Sequence, residues 1–258
     1  MGKYHLLMDF NFKNPVHLVA LFLLLISFLM FVVVPIFTYF GMFGDFTSTT
    51  SQIGEFPEGF KIFFEIFALF LQFTLVIILF VLIPFVWYKL VNKYSTLQIV
   101  SALRLKKEKL DMSIVYGIIT AAVMFGVVIC IGGLLSVLGF DLENASNIQD
   151  IEQLFSLPAT FILIIFQPIT EEIFYRGFLL EKIEKMSSAP IAIIITSILF
   201  GLAHLTAGNI YPAILTGIAG AVLGIVVIKK QNLTVAIIAH ILFNIVSFSM
   251  YVIGQSLV

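Results

Sequence analysis

The sequence predicts an all-α, polytopic integral membrane bundle of seven transmembrane helices, with room for an eighth half-helix. Three observations predict it. Sixty per cent of the 258 residues are hydrophobic and 11% are charged, against about 25% charged in soluble domains. Mean hydropathy is +1.12. Apolar runs near the roughly 20 residues that cross a bilayer recur along the chain. A soluble globule of this composition would lack polar surface, which excludes a cytosolic enzyme and a disordered chain. One cysteine, Cys130, forms no intrachain disulfide and excludes a secreted disulfide scaffold. A net charge of −1 offers no basic domain for nucleic acid.

The predicted spans are His17–Phe40, Ile62–Tyr88, Ile114–Leu138, Phe155–Leu180, Ala189–His204, Ile210–Ile228 and Leu233–Ile253. The first is too long, and lacks a small-residue site after it, to read as a cleavable signal peptide. Basic residues mark the inner side. Thirteen of the 14 Lys and Arg cluster on one face of this topology, in the N-terminal segment, Lys89–Lys109, Arg176–Lys185 and Lys229–Lys230. Lys61 falls on the other face with Asp45, Glu55, Glu58, Asp141, Glu143, Asp150 and Glu152. The N-terminus is therefore expected in the cytoplasm. Trp87 and Tyr88 read as interfacial anchors, Glu65 as a headgroup residue, and the small residues of the sixth span as a close-packing stripe. Low cysteine use and the inside start point to a prokaryotic cell membrane.

Three regions follow: residues 1–113, two helices and a basic connector; 114–154, the third helix and an acidic outer loop; 155–258, where the chemistry lies. Ionisable groups at membrane depth are costly and usually functional. The first three spans hold almost none. The last four hold Glu171, Glu172, Arg176, His204, His240 and Asn244. In Gln167–Gly177, Pro168 removes a backbone donor, and Glu172 and Arg176 are i,i+4 neighbours that can neutralise each other. Glu171 points about 100° away and lacks such a partner in its own helix, which is what a general base requires. Phe200 and His204 share a face, as do His240 and Asn244. The same groups could instead form a structural ion-pair network or interhelical clamps.

A carboxylate, two imidazoles and an amide suit hydrolysis. Glu171 can take a proton from water, His204 can hold the same water, and His240 and Asn244 can donate to an oxyanion. Alternatively Glu171, His204 and His240 could ligate zinc. That set is a bare minimum, with Glu172 engaged by Arg176 and no carboxylate left to orient either imidazole, so the reading favours no cofactor. Counted from the inner helix ends, His204 comes out about 22 Å deep against 10–14 Å for Glu171 and His240. The three helices converge only if the fifth protrudes at its start.

At these residues the sequence resembles the CPBP family, the CAAX-protease and bacteriocin-processing membrane proteins. The family motifs EExxxR, FxxxH and HxxxN match Glu171–Arg176, Phe200–His204 and His240–Asn244, intact and in order. The family includes the type II CAAX prenyl endopeptidases. The resemblance covers roughly Phe155–Ser249. It implies an intramembrane endopeptidase acting on a membrane-anchored, prenylated or hydrophobic peptide, with Glu171 and His204 activating water, His240 and Asn244 stabilising the oxyanion, and Glu172, Arg176 and Phe200 in support. The rivals are a non-proteolytic scaffold or immunity protein of the same fold and a proton-coupled transporter. A transporter would favour inverted repeats, and none is seen.

Overall fold

The computed structural model describes residues 9–42, 57–105, 110–140, 155–205 and 209–256. Most of the acidic outer-loop residues, together with Lys3, His5 and Lys106–Lys109, lie outside them. Every regular element among the described residues is a helix: α1 Pro15–Tyr39, α2 Glu58–Leu90, the short α3 Thr96–Ala102, α4 Leu110–Val137, α5 Leu157–Met186, α6 Ala189–Leu202, α7 Tyr211–Lys230 and α8 Leu233–Ser256.

Six of these are long and apolar enough to cross a membrane. The fifth predicted span is the exception. It forms a helix of 14 residues, about 21 Å long, so the expected seven spans become six plus a short helix. The fourth span differs in the other direction. Its helix does not stop at Leu180 but runs to Met186, because Glu181, Lys182 and Glu184 find partners inside the protein and need not leave it.

Each of the two proline-bearing helices before the site widens next to its proline. In α1 a π-helical turn spans Leu29–Val33, two residues before Pro35, and in α2 another spans Ile78–Leu82, two residues before Pro84. A proline has no N–H to donate and its ring crowds the carbonyl four residues back, so the ladder widens there. The chain of α5 continues through Pro168 and then takes a π-helical course over Ile173–Leu179.

Two apolar cores flank α5. One is aromatic: Phe80, Trp87 and Tyr88 of α2 pack on Phe174, Tyr175 and Phe178 of α5 and Phe200 of α6. Trp87 and Tyr88 are therefore core residues and not interfacial anchors. Trp87 stacks on Phe10, and the Tyr88 hydroxyl donates to Glu181 at 3.2 Å. The other core is built from smaller side chains, including Ala121 of α4, Ala219 and Leu223 of α7, and Ala236 and Ala239 of α8. Small residues permit this closeness. A Cβ on Gly117 of α4 would meet Ile238 of α8 at 2.5 Å, and one on Gly201 of α6 would meet the Ala213 carbonyl of α7 at 2.5 Å. Gln231, in the left-handed conformation at φ 49°, ends α7 and turns the chain into α8.

Candidate active site

Helical arithmetic explains how the polar residues meet. α5 and α6 form a hairpin that turns at Ser187–Ser188. Arg176 and Phe200 are equidistant in sequence from Ser188, and so are Glu172 and His204. An antiparallel pair of helices rising equally per residue sets such positions level. Against the glutamates, the apparent depth mismatch of His204 came from ending α5 six residues early: measured from Met186, Glu172 is about as deep as His204. His240 still stands seven residues into α8. The Arg176 guanidinium indeed lies over the Phe200 ring at 4.1 Å.

Glu172 and Arg176 are both fully buried. Arg176 Nη1 donates to Glu172 Oε1 at 2.6 Å, as their i,i+4 spacing predicts. His240 of α8 reaches the same oxygen: its Nδ1 stands 2.9 Å from Glu172 Oε1. An ionised carboxylate only accepts, so Nδ1 carries a proton. Its other ring nitrogen, Nε2, faces Glu171 Oε2 at 3.9 Å. The expectation that no carboxylate was left to orient an imidazole is thus corrected. Glu172 serves Arg176 and His240 together, a tertiary contact that spacing within one helix cannot reveal.

Glu171 is 5% exposed. Its partner within α5 is an amide, since Gln167 Nε2 donates to Oε1 at 2.8 Å. Gln167 in turn accepts from Gln72 Nε2 of α2 at 3.3 Å. The sequence reading assigned neither glutamine. Gln167 stood four residues before Glu171 and was legible; Gln72 had no signal beyond being an amide in an apolar helix.

His204 follows the last turn of α6, half-buried, with Nδ1 2.8 Å from the Phe200 carbonyl. A carbonyl only accepts, so Nδ1 again holds the proton and Nε2 is the accepting nitrogen. Phe200 binds the cluster together. Its ring meets His204 edge-on at 4.8 Å, His240 at 5.7 Å and Tyr175 at 5.1 Å. Asn244 sits one turn beyond His240 on α8, half-buried.

Gly220 of α7 makes the room. A Cβ there would lie 2.6 Å from Arg176 Nη2 and 3.0 Å from the Phe200 ring. Gly224 packs on Ile193 in the same stripe, so the small residues of this helix serve close approach. Cys130 is exposed on α4.

Fold and cluster together define a polytopic helical membrane protein with a buried carboxylate–imidazole–guanidinium centre. Residues 153–246, which hold all of these side chains except Gln72, match the family described as type II CAAX prenyl endopeptidase Rce1-like. The resemblance read from the three motifs therefore holds for this segment, and it points to a protease. No curated protein and no solved structure shows a match to the chain.

Proposed function

We propose that the chain is an intramembrane endopeptidase that hydrolyses a peptide bond of a membrane-anchored or hydrophobic peptide, of the prenylated CAAX class that the family description names. One observation carries this reading. Of two adjacent buried carboxylates, Glu172 engages both Arg176 and His240, and Glu171 is left with an amide donor and an imidazole nitrogen 3.9 Å away.

Glu171 and His204 Nε2 are both acceptors, so a water between them gives each a hydrogen bond and turns a lone pair toward the substrate carbonyl. Attack forms the C–O bond as Glu171 takes the water's proton. The negative charge moves to the carbonyl oxygen, where His240 Nε2 and the Asn244 amide donate. Because His240 Nδ1 already donates to Glu172, donation through Nε2 requires the imidazolium. With it, Glu171, Glu172, Arg176 and His240 sum to zero charge, the favourable sum in a low dielectric. The tetrahedral species then collapses, the C–N bond breaks, and Glu171 passes its proton to the leaving amine. General base and oxyanion donors each contribute on the order of 10²- to 10⁴-fold in such reactions.

A metal has to be weighed against this. Glu172 on His240 Nδ1 and the Phe200 carbonyl on His204 Nδ1 orient both rings, as carboxylates and carbonyls behind a zinc site orient its imidazoles. Yet among the described residues no three His, Cys, Asp or Glu side chains gather closely enough to hold an ion, and no step above passes through one. The test is a purified protein offered a fluorogenic prenylated peptide, and the same peptide without lipid, before and after chelation. Cleavage of the lipidated peptide that survives chelation is the expected result. Stoichiometric zinc whose removal stops turnover and whose return restores it would make Glu171, His204 and His240 ligands. No cleavage of either peptide would overturn the proposal.

A further inference from the structure

The second helix, outside the family-matched segment, reaches the carboxylate assigned as the base. Gln72 Nε2 donates to Gln167 Oε1 at 3.3 Å, and Gln167 Nε2 donates to Glu171 Oε1 at 2.8 Å. The direction of this chain is dictated chemically. Glu171 as a carboxylate has no proton to give, so Gln167 must turn its N–H toward it and its carbonyl away, where Gln72 supplies the donor that holds it. One oxygen of Glu171 is thereby pinned. The other, Oε2, faces His240.

Two more contacts keep α2 and α5 in register. Glu65 accepts the backbone N–H of Ser156 at 2.6 Å at the head of α5, so it caps that helix. Phe73, next to Gln72, meets Phe166, next to Gln167, edge to face at 6.0 Å. The amide chain is therefore anchored by a helix pair clamped above it.

We propose that Gln72 and Gln167 form a positioning relay that sets the rotamer of Glu171. The proposal rests on the reading of Glu171 as the general base. Neither glutamine is a catalytic residue; both act through Glu171. The relay gives the N-terminal helices, which carry none of the motifs, a direct part in the site.

The test exploits the direction of the chain. In Gln72→Glu the new side chain, once ionised, can only accept, and the spectra and assays are taken at a pH where its own infrared band shows it ionised. Gln167 must then flip its N–H toward residue 72, and its carbonyl oxygen faces Glu171. In Gln72→Leu the donor is lost but nothing forces the flip. We expect Q72E to lower kcat at least tenfold per folded molecule with KM unchanged, Q72L to lower it only a few-fold, and Gln167→Leu to resemble Q72E. A role in packing alone predicts losses that follow melting temperature and no such order. Infrared difference spectra supply a readout independent of substrate: the carboxylate band lost in Glu171→Gln identifies Glu171, and it should shift in Q72E and Q167L. An unmoved band in well-folded Q72E, or Q72L as damaging as Q72E, overturns the relay. Should the wild-type protein cleave no peptide, the hydrolytic reading falls and the infrared band alone decides the relay.

Discussion

The long fifth helix carries two acidic clusters about three turns apart, and it manages them in opposite ways. Near its end, Glu181 meets Lys182 at 3.2 Å, Lys185, and the Tyr88 hydroxyl at 3.2 Å, and Glu184 pairs with Arg104. Lys182 is held further by Asn92 at 2.9 Å and lies over the Tyr88 ring at 4.3 Å. Each carboxylate there has at least one cation of its own. In the upper cluster two carboxylates face one arginine and one histidine, and Glu172 touches both at 2.6 and 2.9 Å. Glu171 is the remainder. A buried set with every charge matched ties helices together. A set with one carboxylate left beside an imidazole can take up a proton. Counting buried acids does not distinguish the two; asking which acid lacks a cation does.

Substitutions that unbalance one cluster or the other should sharpen this contrast, and the largest stability effect is expected at Glu172. Glu172→Gln leaves the buried Arg176 guanidinium without its counter-charge, which costs about 3–5 kcal/mol. It also removes the charge that holds His240 Nδ1, so turnover per folded molecule should fall as well. Chemical denaturation and a peptide assay on the same sample read both. A stable, fully active E172Q protein would mean that Arg176 and His240 do not depend on this carboxylate.

A smaller effect is expected where room is made for the pair. Gly220→Ala puts a methyl group 2.6 Å from Arg176 Nη2 and 3.0 Å from Phe200. Overpacking of this kind costs about 1–3 kcal/mol. Gly126→Ala, with nothing within 4 Å of the new atom, is the control and should be neutral or slightly stabilising, since it removes a glycine from a helix interior. Equal melting temperatures for the two variants would show that the upper cluster is looser than described. The smallest effect belongs to Lys185 at the lower cluster. Its side chain is 44% exposed, and exposed pairs contribute about 0–1 kcal/mol. Lys185→Ala should shift the melting temperature by no more than a degree or two, while Lys182→Ala, whose side chain is 7% exposed, should shift it more.

Much of the upper cluster was legible before any coordinates. Glu172 and Arg176 are an i,i+4 pair and pair as spacing dictates. His204 and His240 each stood on a helix face with one other singled-out residue, Phe200 or Asn244. What stayed hidden was tertiary. That His240 turns Nδ1 to Glu172 depends on how α8 crosses α5, and the Gln72–Gln167 link depends on α2. The lower cluster misled the sequence reading for a physical reason. Glu181, Lys182 and Lys185 look like residues that have left the membrane, so the span was ended at Leu180. They pair with one another, with Tyr88 donating to Glu181 and Asn92 accepting from Lys182, and the helix continues through them to Met186. Tyr88 and Trp87 misled in the same way, being amphipathic side chains that pack inside the protein, Tyr88 donating to Glu181 and Trp87 stacked on Phe10. The short α6 was read to His204 because its apolar run continues, whereas the helix closes at Leu202 with a tighter turn, His204 N–H to the Gly201 carbonyl at 2.8 Å.

The direct test of the contrast is a crossed comparison of Glu171→Gln and Glu181→Gln. Both are isosteric losses of a buried charge on one helix, read by melting temperature and by hydrolysis of a fluorogenic prenylated peptide in the same detergent. The account predicts that E171Q stays folded and loses hydrolysis, because the amide keeps the shape of the side chain and loses the base. It predicts that E181Q melts lower, with Lys182 left unmatched, and retains hydrolysis per folded molecule. An active E171Q protein, or an E181Q protein that is stable and inactive, would contradict it.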